Sequence, residues 1–166
     1  MEQTWAAFVS AIERDSPASL ALVNPPATDE QIEEARRELG SLHPDLERLY
    51  RLADGFTPGA YLLLDSHRIL PLAELIDDSR SLNGTYIVTD SEAGEGRKLG
   101  QFDLLTLTRT RPDVPDMSRV SVSVSRKKAR VHVWFVEGGV HDFEEVVDTE
   151  ESLDQWLDDA ISDYHG

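Results

Sequence analysis

The chain has 166 residues, 40% of them hydrophobic, which is enough for one domain with a single sizeable core and short for two independent ones. With 32 acids against 16 bases the formal charge is −16, which argues against sequence-independent binding of nucleic acid and against anionic membranes, and favours solubility and fast encounter with a basic protein partner. There is no cysteine, so disulfides and thiolate chemistry are excluded and a reducing cytoplasmic location suits the chain.

In chain order, Trp5, Phe8, Val9 and Ile12 fall at helical spacing and predict an amphipathic helix that Pro17 ends. Glu2 stands where a signal peptide would carry Lys or Arg, so this stretch reads as mature protein. No run approaches the roughly 18 to 20 apolar residues that span a bilayer. A short helical or irregular piece, ASLALV, leads to Pro25-Pro26, which should run extended.

Thr28 followed by Gln31 is a capping box, and Ile32, Ala35 and Leu39 make the buried stripe of a helix that Gly40 closes. Pro44 suits the first turn of the next helix, whose inner face is Leu46, Leu49, Tyr50 and Ala53, and Asp54-Gly55 marks its exit. The period then changes. AYLLL and HRIL read as short strands around Asp65-Ser66, Pro71 opens the helical segment LAELIDDSRSL, and TYIVTD follows Asn83-Gly84 as a strand.

SEAGEGRKLG reads as a loop and QFDLLTLT as a strand; the prolines of RTRPDVPDM break the chain before RVSVSVS. That segment alternates, with Val120, Val122 and Val124 on one face and serines on the other, and pairs as a hairpin with RVHVWFV across RKKA. GGVHDFEEVVD reads as a turn and an edge strand. A last helix carries Leu153, Trp156, Leu157, Ala160, Ile161 and Tyr164 on one face, with Asp148 or Thr149 as its cap. The order predicts α+β: a mostly antiparallel sheet with amino-terminal helices and a carboxy-terminal helix packed on it, as one domain over 1–166.

Pro25-Pro26-Ala27-Thr28, Ile32, Leu39-Gly40, Pro44-Asp45-Leu46, Leu49-Tyr50, Asp54-Gly55 and RILPLAEL resemble, in order and spacing, the SUKH superfamily, which includes fungal cell-wall-synthesis regulators and bacterial toxin immunity proteins. The resemblance covers about a third of the chain, from Pro25 to Leu75. It implies a binding platform that is no enzyme, in many members an immunity protein that neutralises a nuclease-type toxin. The family often carries a Trp and a Pro in the strand after this block, and LGQFDLLTLT has neither. The resemblance transfers no contact residue.

Each chemical motif has a plainer reading. Gly94, Gly96 and Gly100 around Arg97-Lys98 meet neither phosphate-loop spacing, and read as a loop. His132, His141 and Asp142 could converge as metal ligands but lack fixed zinc spacing. Ser121, Ser123 and Ser125 lack a nucleophile elbow and read as the outer face of a half-buried strand. Arg126, Lys127, Lys128 and Arg130, beside Arg119, read as a solvated turn. No cofactor and no metal is expected.

The acidic end differs. From Glu137 onward there are eleven carboxylates and no Lys or Arg. Asp148, Glu150 and Glu151 suit a helix start; Asp158, Asp159 and Asp163 oppose the dipole of the last turns, and Asp154 repels Asp158 at i, i+4. Two readings stand: a solvated face, or a surface for a basic partner. Under the second, Glu144, Glu145, Asp148, Glu150, Glu151, Asp154, Asp158 and Asp159 are the partner-binding residues, with Phe56, Tyr61 or Tyr86 as exposed anchors. The expected function is an immunity protein binding a basic toxin domain; the alternative is a regulatory scaffold with no toxin partner.

Overall fold

The computed structural model describes residues 1–63, 67–84, 86–88, 96–112, 121–125, 130–135 and 143–162. The fold is α+β, and its helices form where caps and apolar spacing dictate. Helix α1 (Glu2–Asp15) buries Trp5, Phe8 and Ile12, and Pro17 then opens a single 3-10 segment, Pro17–Leu22. Helix α2 (Asp29–Leu39) begins in the expected capping box: Thr28 Oγ1 accepts the Gln31 N–H at 3.2 Å and Gln31 Oε1 accepts the Thr28 N–H at 2.8 Å. It ends at Gly40, whose φ of 75° a glycine adopts without Cβ strain. Helix α3 (Pro44–Leu52) takes His43 as its cap, Nδ1 accepting the Asp45 N–H, a role that Pro44 alone does not reveal.

The loop leaving α3 ties the helices together. Pro25 and Pro26 lack N–H groups, so their neighbours carry the bonding: Asn24 donates to the Gly55 carbonyl, Asp54 N–H to the Pro25 carbonyl and Ala27 N–H to the Tyr50 carbonyl. Gly55 at φ 64° then turns the chain so that Phe56 points inward and donates its N–H to the Ile69 carbonyl. Phe56 is therefore a core residue, stacked on Trp5 at 6.2 Å and beside Phe8 at 6.1 Å, and the expectation of an exposed anchor there is wrong. Tyr61 is half-buried, and Tyr86, at 39% exposure, stays accessible.

Strand β1 (His67–Ile69) exchanges backbone bonds with Leu63 and leads through Pro71 into helix α4 (Leu72–Ser81). The remaining strands are β2 (Tyr86–Val88), β3 (Gly96–Lys98), β4 (Leu104–Thr106), β5 (Thr108–Thr110), β6 (Ser121–Ser125), β7 (Arg130–Phe135) and β8 (Phe143–Ser152). Among the described residues β1 pairs with β5, and the others form a six-stranded sheet in the order β3-β2-β8-β7-β6-β4. Every pair is antiparallel except β2 with β8. Helix α5 (Leu153–Ser162) packs on β7 and β8 and against α1 and α3.

Five expectations change. Of AYLLL, read as a strand, Ala60, Tyr61 and Leu62 lie in no strand and Leu63 forms only an isolated bridge to His67. Gly96–Lys98, read as loop, pairs with β2, because Tyr86 and Ile87 supply a partner that the local composition does not. The single strand expected in QFDLLTLT bends at Leu107, whose N–H still bonds Val122 of the large sheet while its carbonyl takes the Leu70 N–H beside β1. The serine face of β6 is not open to solvent at its centre: Ser123 is fully buried, opposite Thr106, where Ser79 of α4 accepts the Thr106 edge N–H at 3.0 Å.

Finally, β8 is no edge strand, since β2 lies along its outer side, and it runs on to Ser152. Asp148, Thr149, Glu150 and Glu151 are thus strand residues, and α5 is capped by a second box: Ser152 Oγ accepts the Gln155 N–H and Gln155 Oε1 accepts the Ser152 N–H. Ser152→Ala removes one of these bonds and should cost about 1 kcal/mol, read as a lower urea midpoint at unchanged slope.

Candidate functional site

The carboxylates expected to bind a partner fall on two elements, β8 and α5. By register Glu144 stands opposite Ile87, Glu145 between Val88 and Phe135, and Asp148 opposite His132, all within the paired part of β8. Glu150 and Glu151 lie at its far end, and Asp154, Asp158 and Asp159 on α5.

The α5 carboxylates are not uncompensated either. Asp154 Oδ1 lies 3.2 Å from the Met1 α-amino nitrogen and its Oδ2 lies 3.7 Å from Arg48, while Asp158 Oδ1 accepts from the Thr4 hydroxyl. The i, i+4 pair that reads as repulsive in the sequence thus meets the positive N-terminal end of α1. Arg48 also donates two bonds to Glu2, at 3.2 and 2.8 Å, which hold that carboxyl down at about 2. Of the three, Asp159 alone has neither an ion pair nor a side-chain hydrogen bond with a described residue.

A second acidic surface was not singled out by sequence. Helices α2 and α4 lie side by side and run in the same direction, because each end is tied. At the start, half-buried Asp54 accepts the Leu72 N–H at 2.8 Å through Oδ1 and the Gln31 side-chain amide at 3.0 Å through Oδ2. A carboxylate between two helix N-termini offsets the repulsion of their parallel dipoles. Half-burial nevertheless pushes the Asp54 carboxyl above the usual Asp range, against the pull of those two donors. At the far end Arg80 of α4 donates to Glu38 of α2 and, at 3.0 Å, to Asp77.

Between these ties lies a groove of about 290 Å³. Gln31, Glu34 and Glu38 form one wall; Ala73, Asp77 and Arg80 form the other, over Leu72 and Ile76. Both walls obey helical spacing, so each stripe is visible in the sequence. Their juxtaposition is a product of the fold.

The described cations are largely consumed within the chain. Arg36 binds Glu33 and Glu47, Arg51 binds Asp29 and Glu47, and Arg109 binds Asp78. Arg68, 5% exposed, donates to Glu74 at 3.1 Å and to the Phe56 carbonyl at 3.2 Å. Glu13, Glu30, Glu34 and Asp159 are exposed and have no ion pair with any described residue.

Groups capable of catalysis are placed otherwise. His67 Nδ1 lies 3.1 Å from the Thr108 hydroxyl, but both residues are buried, and burial lowers the His67 pKa to about 4. His132 lies in β7, whereas His141 and Asp142 fall outside the described residues, as do Gly94, Arg119, Arg126, Lys127 and Lys128. Among the described residues no group of three His, Asp or Glu is arranged to hold a metal. No described helix is long and apolar enough to cross a membrane. Compared with models of known families and with curated proteins, the chain matches none.

Proposed function

We propose that this chain is a non-catalytic protein-binding domain of the immunity type, which occupies the basic cleft of a nuclease-type toxin in the cytoplasm and so excludes its substrate. The reading is supported above all by the use of the chain's own cations. The paired arginines neutralise chosen carboxylates locally, and the remaining excess of the −16 formal charge is left to act on a partner. Carboxylates presented to a nucleic-acid cleft stand where phosphates would. The resemblance of the segment from Pro25 to Leu75 to immunity proteins of the SUKH kind points the same way.

Charge of this kind acts mainly on the rate of encounter, which should fall steeply as salt rises from about 0.05 to 0.5 M, with the dissociation rate changing less. The deciding experiment is co-expression with the toxic domain encoded beside this gene. Growth should be restored, and the two chains should co-purify. Continued killing at confirmed expression of both would refute that pairing.

A further inference from the structure

We infer that the groove between α2 and α4 is the docking site for a cationic, amphipathic segment of the partner, and that Arg80 is an internal cation that competes with it. The inference rests on the protein-binding reading above and names the surface and the chemistry it selects.

The groove is about 10 Å long, from the seven-residue separation of Gln31 and Glu38, or roughly two turns of an approaching helix. Its floor is apolar and its rim acidic. Leu72 and Ile76 lie beneath, Ala73 is exposed along one wall, and Glu34, Glu38 and Asp77 stand above. A Lys or Arg stem would lie along Ala73 and Ile76 with its charged head between Glu34 and Asp77. Glu34 has no ion pair with any described residue, whereas Glu38 and Asp77 share one guanidinium, Arg80, which is itself 45% exposed.

Charge selects the occupant. An anionic or phosphate-bearing ligand would meet three carboxylates against one arginine, and a second copy of this chain would bring another −16. A basic segment instead gains what Arg80 now holds. Removing Arg80 should therefore strengthen binding, the opposite of what loss of an ordinary contact residue does.

The probe is a fluorescein-labelled 14-residue peptide of Leu, Lys and Arg at helical spacing, followed by anisotropy in about 0.1 M salt. Arg80→Gln should tighten it about 3-fold, while Arg37→Gln, which removes the same charge from an exposed position outside the groove, should change it much less. Glu34→Gln with Asp77→Asn should weaken it several-fold, beyond the effect of Glu13→Gln with Asp159→Asn at equal net charge. Amide shifts should centre on Glu34, Ala73 and Asp77. All these positions are exposed, so unchanged circular dichroism is expected.

Weakening by Arg80→Gln, equal effects of the two charge pairs, shifts centred on α5, or no peptide binding would each overturn the groove as a cationic site. The toxin co-expression result would stand apart from any of them, so the two readings fail separately.

Discussion

Gly55→Ala should cost about 3 to 5 kcal/mol, a large share of the roughly 5 to 15 kcal/mol that holds a domain folded. Two costs coincide at this position. The residue sits at φ 64°, where any L side chain is strained by about 1 to 2 kcal/mol. A Cβ there would also meet the Ile69 carbonyl oxygen and the Leu70 carbonyl carbon at 2.6 Å, and both are backbone atoms that cannot rotate away. Those atoms are held in turn by the Phe56 N–H and by the buried Tyr50 hydroxyl, which donates to the Leu70 carbonyl at 2.8 Å.

Gly59→Ala provides the control. Its φ of 86° carries the same conformational strain, but nothing lies within 4 Å of a Cβ, so it should cost only about 1 to 2 kcal/mol. Urea unfolding of both variants isolates the cost of the close approach as their difference. Equal destabilisation would mean that the Asp54-Gly55 turn is not pressed against β1. A true Gly55 effect should extend to the α2–α4 groove, because Asp54 ties the starts of both helices.

What was legible in the sequence was what is local. The Thr28 capping box, the left-handed Gly40, Pro44 at a helix start and the strand β6 each depend on residues within one turn or one strand, and each forms as read. The β6–β7 hairpin followed for the same reason. The errors share a cause of the opposite kind. Whether β8 is an edge depends on β2, more than fifty residues earlier, returning parallel to it. Whether Asp154 and Asp158 repel unopposed depends on α1 lying across α5.

The second capping box was a missed local signal. Ser152 and Gln155 have the same spacing as Thr28 and Gln31, but the acids before them suggested an earlier helix start. The groove could not have been found this way, because its two stripes lie on separate helices, tied at one end by Asp54 and at the other by Arg80.

Stability should also fall by about 3 kcal/mol as the pH drops from 6.5 to about 4, through one buried histidine. His67 lies in β1, which pairs with β5 just beyond the bend at Leu107 where the chain leaves the large sheet. Thr108 Oγ1 accepts the Val122 N–H at 3.0 Å that the bent ladder leaves behind, so its own proton is free to be donated to unprotonated His67 Nδ1. Burial keeps that ring neutral down to about 4, against 6.5 for the unfolded chain.

The sign follows from proton counting. Between those two values the unfolded chain binds a proton that the folded chain does not, so the contribution is complete above 6.5 and is lost as pH falls through the interval. Asp54 acts in the opposite direction: its carboxyl is raised by burial, so folding gains as the pH falls toward that raised value. Glu2, Asp15 and Glu47, all lowered by arginine hydrogen bonds, begin to count only near and below the ordinary carboxylate range.

His67→Asn keeps a polar group near Nδ1 and removes the titration. Urea midpoints at pH 7, 6, 5 and 4.5 should therefore fall for the native chain and stay nearly level for the variant over the same interval. Parallel curves would show that His67 does not carry the acid sensitivity, and that the corner holding β1 against β6 opens by another route.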